Sequence, residues 1–228
     1  MMSTLLEFGK NMRDSIKDKC YFDDFIKEDS ERISAFVEKL KNGQIPDARV
    51  QRIKEKITAL QLGVFIARYS RGDELIELSK SFPPLFDSWT GTFNKNNYDV
   101  NLKMVSLSVL FNFEKELSKI ENNLLEIDDW LITYLLCGEN NKTLVYPEHY
   151  ESLRSILKNN SFDSLLSYAS NDWFDEELDC FFSHKSSENL YYGYWCFEVA
   201  AIIKKLQIDD RKLANAKFYP YDLAHFKK

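Results

Sequence analysis

The sequence predicts an all-α protein, built from antiparallel helix hairpins that form two packed helical subdomains with essentially no sheet. Three observations carry that prediction. Apolar residues recur at spacings of three and four along most of the chain, the period of an amphipathic helix. Only 7 Gly and 5 Pro occur in 228 residues, little material for a turn-rich β architecture. The one strand-like run, Thr143-Leu144-Val145-Tyr146, is too short to found a sheet.

The elements follow in order. Phe22, Phe25, Ile26, Ile33, Phe36, Val37 and Leu40 mark a first helix that Asn42-Gly43 ends. Pro46-Asp47 opens a second, with Val50, Ile53, Ile57, Leu60 and Val64 on one stripe, running to Ser70 with Gly72 as its stop. Pro83-Pro84, Gly91 and Asn94-Lys95-Asn96-Asn97 make the stretch 81–97 read as a long loop with room for one short helix. Leu102, Val105, Val109, Leu110, Phe113, Leu117 and Ile120 then form the cleanest amphipathic stripe in the chain. Glu121-Asn122-Asn123 is a natural boundary, which divides the chain into an N-terminal subdomain, 1–122, and a C-terminal one, 123–228. In the second, helices are expected from Leu124 to Cys137, from Pro147 to Leu157, after Ser161 as a cap, from Trp173 to Phe182 and from Gly193 to Leu206. Lys204-Lys205 suits a helix C-terminus.

Bulk properties narrow the function classes. Hydrophobic residues make up 44% and aromatics 14%, enough for one good core or two modest ones. No apolar run is long enough to span a membrane. The start, Met1 to Glu7, lacks the basic and long apolar regions of a signal peptide, so residence in the cytoplasm is expected. Cys20, Cys137, Cys180 and Cys196 are scattered among apolar neighbours and are expected to be reduced core thiols. No Cys/His spacing fits zinc, and the chain carries no HExxH, GxSxG, Walker loop or GxGxxG. Neither a metal nor a cofactor is therefore expected.

Charge is distributed unevenly. Residues 126–190 hold 4 basic and 13 acidic groups, a net of −9 against −6 for the whole chain. Such a field attracts a basic partner and speeds encounter at low salt. Direct nucleic-acid binding is disfavoured, because no basic stripe exists to neutralise phosphates. A solvated acidic helix face without a partner explains the same charge equally well.

The densest chemistry lies near the C-terminus. Tyr191-Tyr192-Gly193-Tyr194-Trp195-Cys196-Phe197-Glu198-Val199-Ala200-Ala201-Ile202-Ile203 places one carboxylate inside a run that reads as a helix buried on nearly every side. A carboxylate there must be paired, hydrogen-bonded or shifted in pKa. Ile208-Asp209-Asp210 and Phe218-Tyr219-Pro220-Tyr221-Asp222-Leu223 follow. Together these three elements resemble the C-terminal domain of the PoNi-type immunity proteins, which protect bacteria from polymorphic DNase toxins of the PoNe type. Met12-Arg13-Asp14, Tyr21-Phe22-Asp23-Asp24-Phe25-Ile26 and Ala67-Arg68-Tyr69-Ser70-Arg71-Gly72 are similar to the companion N-terminal domain, and the resemblance runs roughly from Arg13 to Leu223. It implies a non-enzymatic inhibitor whose partner is a nuclease of the PD-(D/E)xK type exported by a type VI or type VII secretion system.

Candidate partner-binding residues follow from the chemistry. Asp172, Trp173, Asp175, Glu176, Glu177 and Asp179 combine five carboxylates with an aromatic anchor, the composition of a binding hot spot. The alternative has Trp173, Phe174 and Leu178 facing the core while the acids face water. Glu126, Asp128 and Asp129 around Trp130 repeat the pattern on a smaller scale. Glu198 shares a helical face with Tyr191, Tyr194, Trp195 and Ile202, so tyrosine hydroxyls or a basic side chain are its expected partners. As a toxin contact it ranks with Asp209 and Asp210, whose competing reading is turn and N-cap chemistry. Immunity against an RNase or a deaminase is the alternative function. A helical enzyme using Glu198 as acid or base is a more distant one. The pattern fixes no oligomeric state.

Overall fold

The computed structural model describes residues 12–138, 141–178 and 183–227. Among them helices and turns account for all regular structure, and no strand occurs, as the periodicity predicts. Two compact units emerge, neither a single stretch of chain. The first comprises the described part of Met1–Phe93 with Ser183–Gly193; the second comprises Asn94–Phe182 with Tyr194–Lys228.

In the first unit, α1 (Lys19–Lys41) and α2 (Asp47–Arg71) form a hairpin, and α3 (Leu75–Gly91) packs on α2. Asp18 starts α1 by accepting the Tyr21 N–H at 2.8 Å. This satisfies one of the donors a helix start leaves open. Asp18→Ala is expected to lower stability by about 1 kcal/mol, readable as a shifted urea midpoint at constant m-value. Gly72 closes α2 at φ 99°, a left-handed position where a Cβ is strained.

The stretch 81–97 departs from expectation. Instead of a loop, α3 continues through Pro83 and Pro84 to Gly91. Two prolines inside a helix cost about 3 kcal/mol or more each. Leu78, Phe82, Leu85, Phe86 and Trp89 are nonetheless all buried on one face, each contributing about 1.5–3 kcal/mol of apolar burial. Packing therefore outweighs local propensity. The Thr58 hydroxyl on α2 meets Ser88 Oγ at 2.8 Å and Thr92 Oγ1 at 2.9 Å, fixing the register of the two helices.

The second unit is centred on α4 (Tyr98–Leu110) and α11 (Phe197–Leu206), which pack together. From Phe197 to Ile203 every residue of α11 is buried. The single long stripe expected over 102–120 is broken. Asn112 turns the chain at φ 56° after α4, and α5 (Glu114–Leu117) and α6 (Glu121–Leu125) follow as short turns. Asp128, at φ 59°, breaks the expected 124–137 helix in the same way, and α7 spans Trp130–Cys137. α8 (Pro147–Lys158) and α9 (Phe162–Ser167) come next. A π-helical turn, Tyr168–Asp172, then leads into α10 (Trp173–Leu178). A four-residue α12, Tyr221–Ala224, lies near the C-terminus.

Two lysines reach further than their own helix. Lys204 Nζ donates to the carbonyl of Leu110 at 2.5 Å, the last residue of α4, and burial pushes its pKa down. Lys205 Nζ donates to Leu135 in the last turn of α7 at 2.7 Å. Cations at the free carbonyls of two helix ends thus tie α4 and α7 to α11.

The cysteines divide. Cys196 is buried, and desolvation holds its thiol well above the usual range. Cys20 and Cys137 are exposed, against expectation, because each sits on the outer face of its helix. Cys180 lies outside the described residues.

Candidate functional site

The aromatic run 191–196 is not helical; α11 starts only at Phe197. Gly193, at φ 117°, takes a positive-φ conformation that an α-helix cannot hold. Glu198 therefore does not share a helical face with Tyr191, Tyr194 and Trp195. Its partner is the Trp173 indole, whose Nε1–H donates to Oε1 at 2.5 Å. The carboxyl is 6% exposed, and desolvation pushes its pKa up to about 7. The Trp173 hydrogen bond and the Lys103 ammonium pull the other way without restoring the ordinary value. Burial dominates because the charged form loses its hydration.

Around this bond the rings are close-packed. Phe174 stacks on Phe218, with ring centres 4.5 Å apart and planes 12° apart, and Tyr194 meets both edge-on. Trp173 itself is 5% exposed. Asp172 and Asp175 face solvent. Where the described residues reach, the aromatics of this cluster point inward and its acids outward. Glu176 and Glu177 continue α10, with side chains outside the described ones, and Asp179 lies outside the described residues altogether.

The tandem aspartates part company. Asp209 is exposed and grips Arg211, Nε to Oδ1 at 2.8 Å, which lowers its pKa to about 2. Asp210 is 5% exposed and accepts the Tyr219 hydroxyl at 2.7 Å, while His225 Nε2 lies 3.1 Å from its other oxygen. Its backbone carbonyl also accepts the Leu213 N–H at 2.7 Å, opening the short 3-10 turn Arg211–Leu213. Burial, followed by the Asp210 carboxylate, raises the Tyr219 phenol strongly. Asp210 thus joins the two C-terminal motifs, while Asp209 lies outside in an exposed ion pair with Arg211.

Asp129, one of the smaller acidic group, is fully buried. It accepts from the Ile132 N–H at 2.9 Å, the Val145 N–H at 2.9 Å and the Tyr98 hydroxyl at 3.2 Å. It caps α7 and ties in the short run 143–146 through the Val145 amide; that run is irregular, with a bend at Val145 and Tyr146, and is not a strand. The spacing Asp129-Trp130, an N-cap before an apolar octet, held that information.

In the first unit the N-terminal motifs interlock. The Tyr191 hydroxyl donates to Asp14, and the Tyr191 N–H reaches the Tyr21 hydroxyl at 3.0 Å. Arg13 donates to the Tyr69 and Asp73 carbonyls, both at 2.9 Å. Burial would raise Asp73, but Arg71 and Arg68 more than offset it and hold its carboxyl below the usual range. Sequence reading missed Asp29, which is 5% exposed and paired with Arg32 at 2.9 Å; desolvation raises its pKa despite that pairing. An i,i+3 acid–base pair around a helix face was the available signal.

The residues brought together in each unit are those of the motifs, and they form satisfied networks rather than an open pocket with convergent acids. No group of three or more His, Cys, Asp or Glu that could hold a metal occurs among the described residues. No helix among them is long and apolar enough to cross a membrane. No curated protein and no solved structure matches the chain. Two family models do, in tandem. The N-terminal model of the PoNe immunity protein (PoNi) matches residues 13–121, and the C-terminal model of the PoNe immunity proteins (PoNi) matches residues 127–223. With both parts of one family's architecture present and in order, the chain belongs to the PoNe immunity proteins.

Proposed function

We propose that this protein binds a cognate PoNe nuclease toxin and silences it by masking the basic cleft in which the toxin holds DNA. The inhibition is steric and electrostatic rather than chemical, and it operates in the cytoplasm of a cell exposed to toxin from an interbacterial secretion system. The observation that carries this reading, beyond family membership, is the charge: residues 126–190 hold 13 acidic and 4 basic groups. A nuclease that grips a phosphate backbone presents cations, and an acidic inhibitor competes for them.

Asp172, Asp175, Glu176, Glu177 and Asp179 are the proposed contact acids, with Asp209 as an exposed companion. Trp173, Glu198 and Asp210, being buried, act from beneath by holding that face in shape. The sequence division at 122/123 is proposed to separate an N-terminal from a C-terminal immunity subdomain, the second of which carries the acidic excess.

Co-expression with the neighbouring toxin gene, affinity capture and a DNA-degradation assay test the proposal. A stable complex in which nuclease activity disappears at equimolar inhibitor is the expected result. Nuclease activity that persists within an isolated complex would remove the masking mechanism. Activity against RNA alone would move the partner to a different toxin chemistry.

A further inference from the structure

The second unit carries an open cleft of about 340 Å³, lined by none of the residues assigned a role above except Tyr98. Tyr98, Tyr146, His149 and Tyr150 line it with aromatic rings, and Asn96, Asn97 and Asp99 complete the rim. Tyr98 and Tyr146 meet edge to face with centres 4.9 Å apart, and Tyr150 lies 6.4 Å from Tyr98. His149 lies 6.4 Å from Tyr146 and 6.3 Å from Tyr150. Behind them the Tyr98 hydroxyl is bound to buried Asp129 at 3.2 Å, so the rear ring is fixed. Tyr146, 39% exposed, directly precedes the start of α8 at Pro147. The Asp99 side chain is 69% exposed and accepts the Lys103 ammonium on both of its oxygens, each at 2.6 Å. A carboxylate has lone pairs enough for a second donor.

We propose that this cleft receives an arginine side chain of the toxin. Aromatic faces present negative charge to a cation, and a planar guanidinium both stacks on them and donates in a fork to a carboxylate. A lysine ammonium satisfies only part of that geometry. Tyr146, His149 and Tyr150 belong to the stretch 126–190, whose net −9 complements a basic partner. The Tyr98 ring is anchored before binding, which limits the ordering lost on association. The proposal rests on the toxin-binding reading above and deepens it. The acidic residues steer encounter, whereas the aromatic cleft retains the complex.

The test is surface plasmon resonance of the full chain against its cognate toxin, inactivated at the nuclease centre. Tyr146→Ala and Tyr150→Ala are each expected to raise the dissociation rate about 10-fold or more, with little change in association. Tyr146→Phe retains the ring and is expected to bind within about 2-fold of the parent, which separates ring chemistry from loss of fold. An arginine-to-alanine scan of the toxin then identifies one position at which Tyr146→Ala has no further effect. If the parent protein fails to bind the toxin, the immunity reading falls and takes the cleft with it. If the parent binds and both alanine variants match it within about 2-fold, only the cleft assignment is overturned.

Discussion

Trp173→Ala is expected to destabilise the second unit by about 3–5 kcal/mol, a large fraction of the roughly 5–15 kcal/mol available to a protein of this kind. The side chain is 5% exposed, so its removal leaves a cavity, and it also strips Glu198 of its hydrogen bond. The buried carboxyl also makes stability depend on pH, through a desolvation that the Trp173 bond only partly offsets. Glu198 titrates near 7 in the folded chain and near its ordinary 4.5 when unfolded. Between those values the folded state holds the extra proton, so unfolding free energy falls as pH rises through the window. The loss is on the order of 3 kcal/mol and is complete above the folded value. Glu198→Gln keeps an acceptor for the indole and removes the titration. Urea unfolding from pH 4.5 to 8 is expected to show the parent losing stability relative to Glu198→Gln as pH rises. A constant difference between the two would place the Glu198 charge in a better-solvated site than its burial indicates.

Reversing Asp175, Glu176 and Glu177 to lysine is expected to slow association with the toxin by about 10- to 100-fold at low salt, with a smaller effect at high salt. Asp175 is exposed at α10 and makes no contribution to the Trp173–Glu198 bond. Melting temperature is therefore expected to stay close to that of the parent. Stopped-flow association across an ionic-strength series provides the readout. A parent on-rate indifferent to salt would remove steering altogether. A salt-dependent parent with an unaffected triple variant would move the steering acids to another part of the chain, Asp209 included. The contrast with the proposed aromatic cleft is expected to be kinetic, with charges governing arrival and rings governing departure.

Much of the fold was legible in the sequence because helix-forming information is local. The stripe from Phe22 to Leu40, the Asn42-Gly43 stop, Pro46-Asp47 and Gly72 all act over a few residues, and α1 and α2 lie where those signals put them. The failures are equally physical. Pro83-Pro84 reads as a breaker from its neighbours alone, and α3 survives it through burial against α2, a gain visible only in three dimensions. At Asn112 and Asp128 a residue tolerant of positive φ ended a stripe whose apolar period ran on unbroken.

For the candidate site, the amino-acid order by itself determined that Glu198 is buried and perturbed, because an apolar run on both sides leaves no path to water. It determined the family too, since motifs at 13–14, 191–198, 209–210 and 218–223 are patterns of residue types. Tertiary structure alone decided the partners. Trp173, 25 residues earlier, binds Glu198 in place of the nearby tyrosines, and of two adjacent aspartates one is buried and one free to meet solvent. The reason is one of range. Period and capping act within a turn of the chain, whereas the partner of a buried polar group is whatever donor packing delivers, at any separation, before the cost of desolvation must be met.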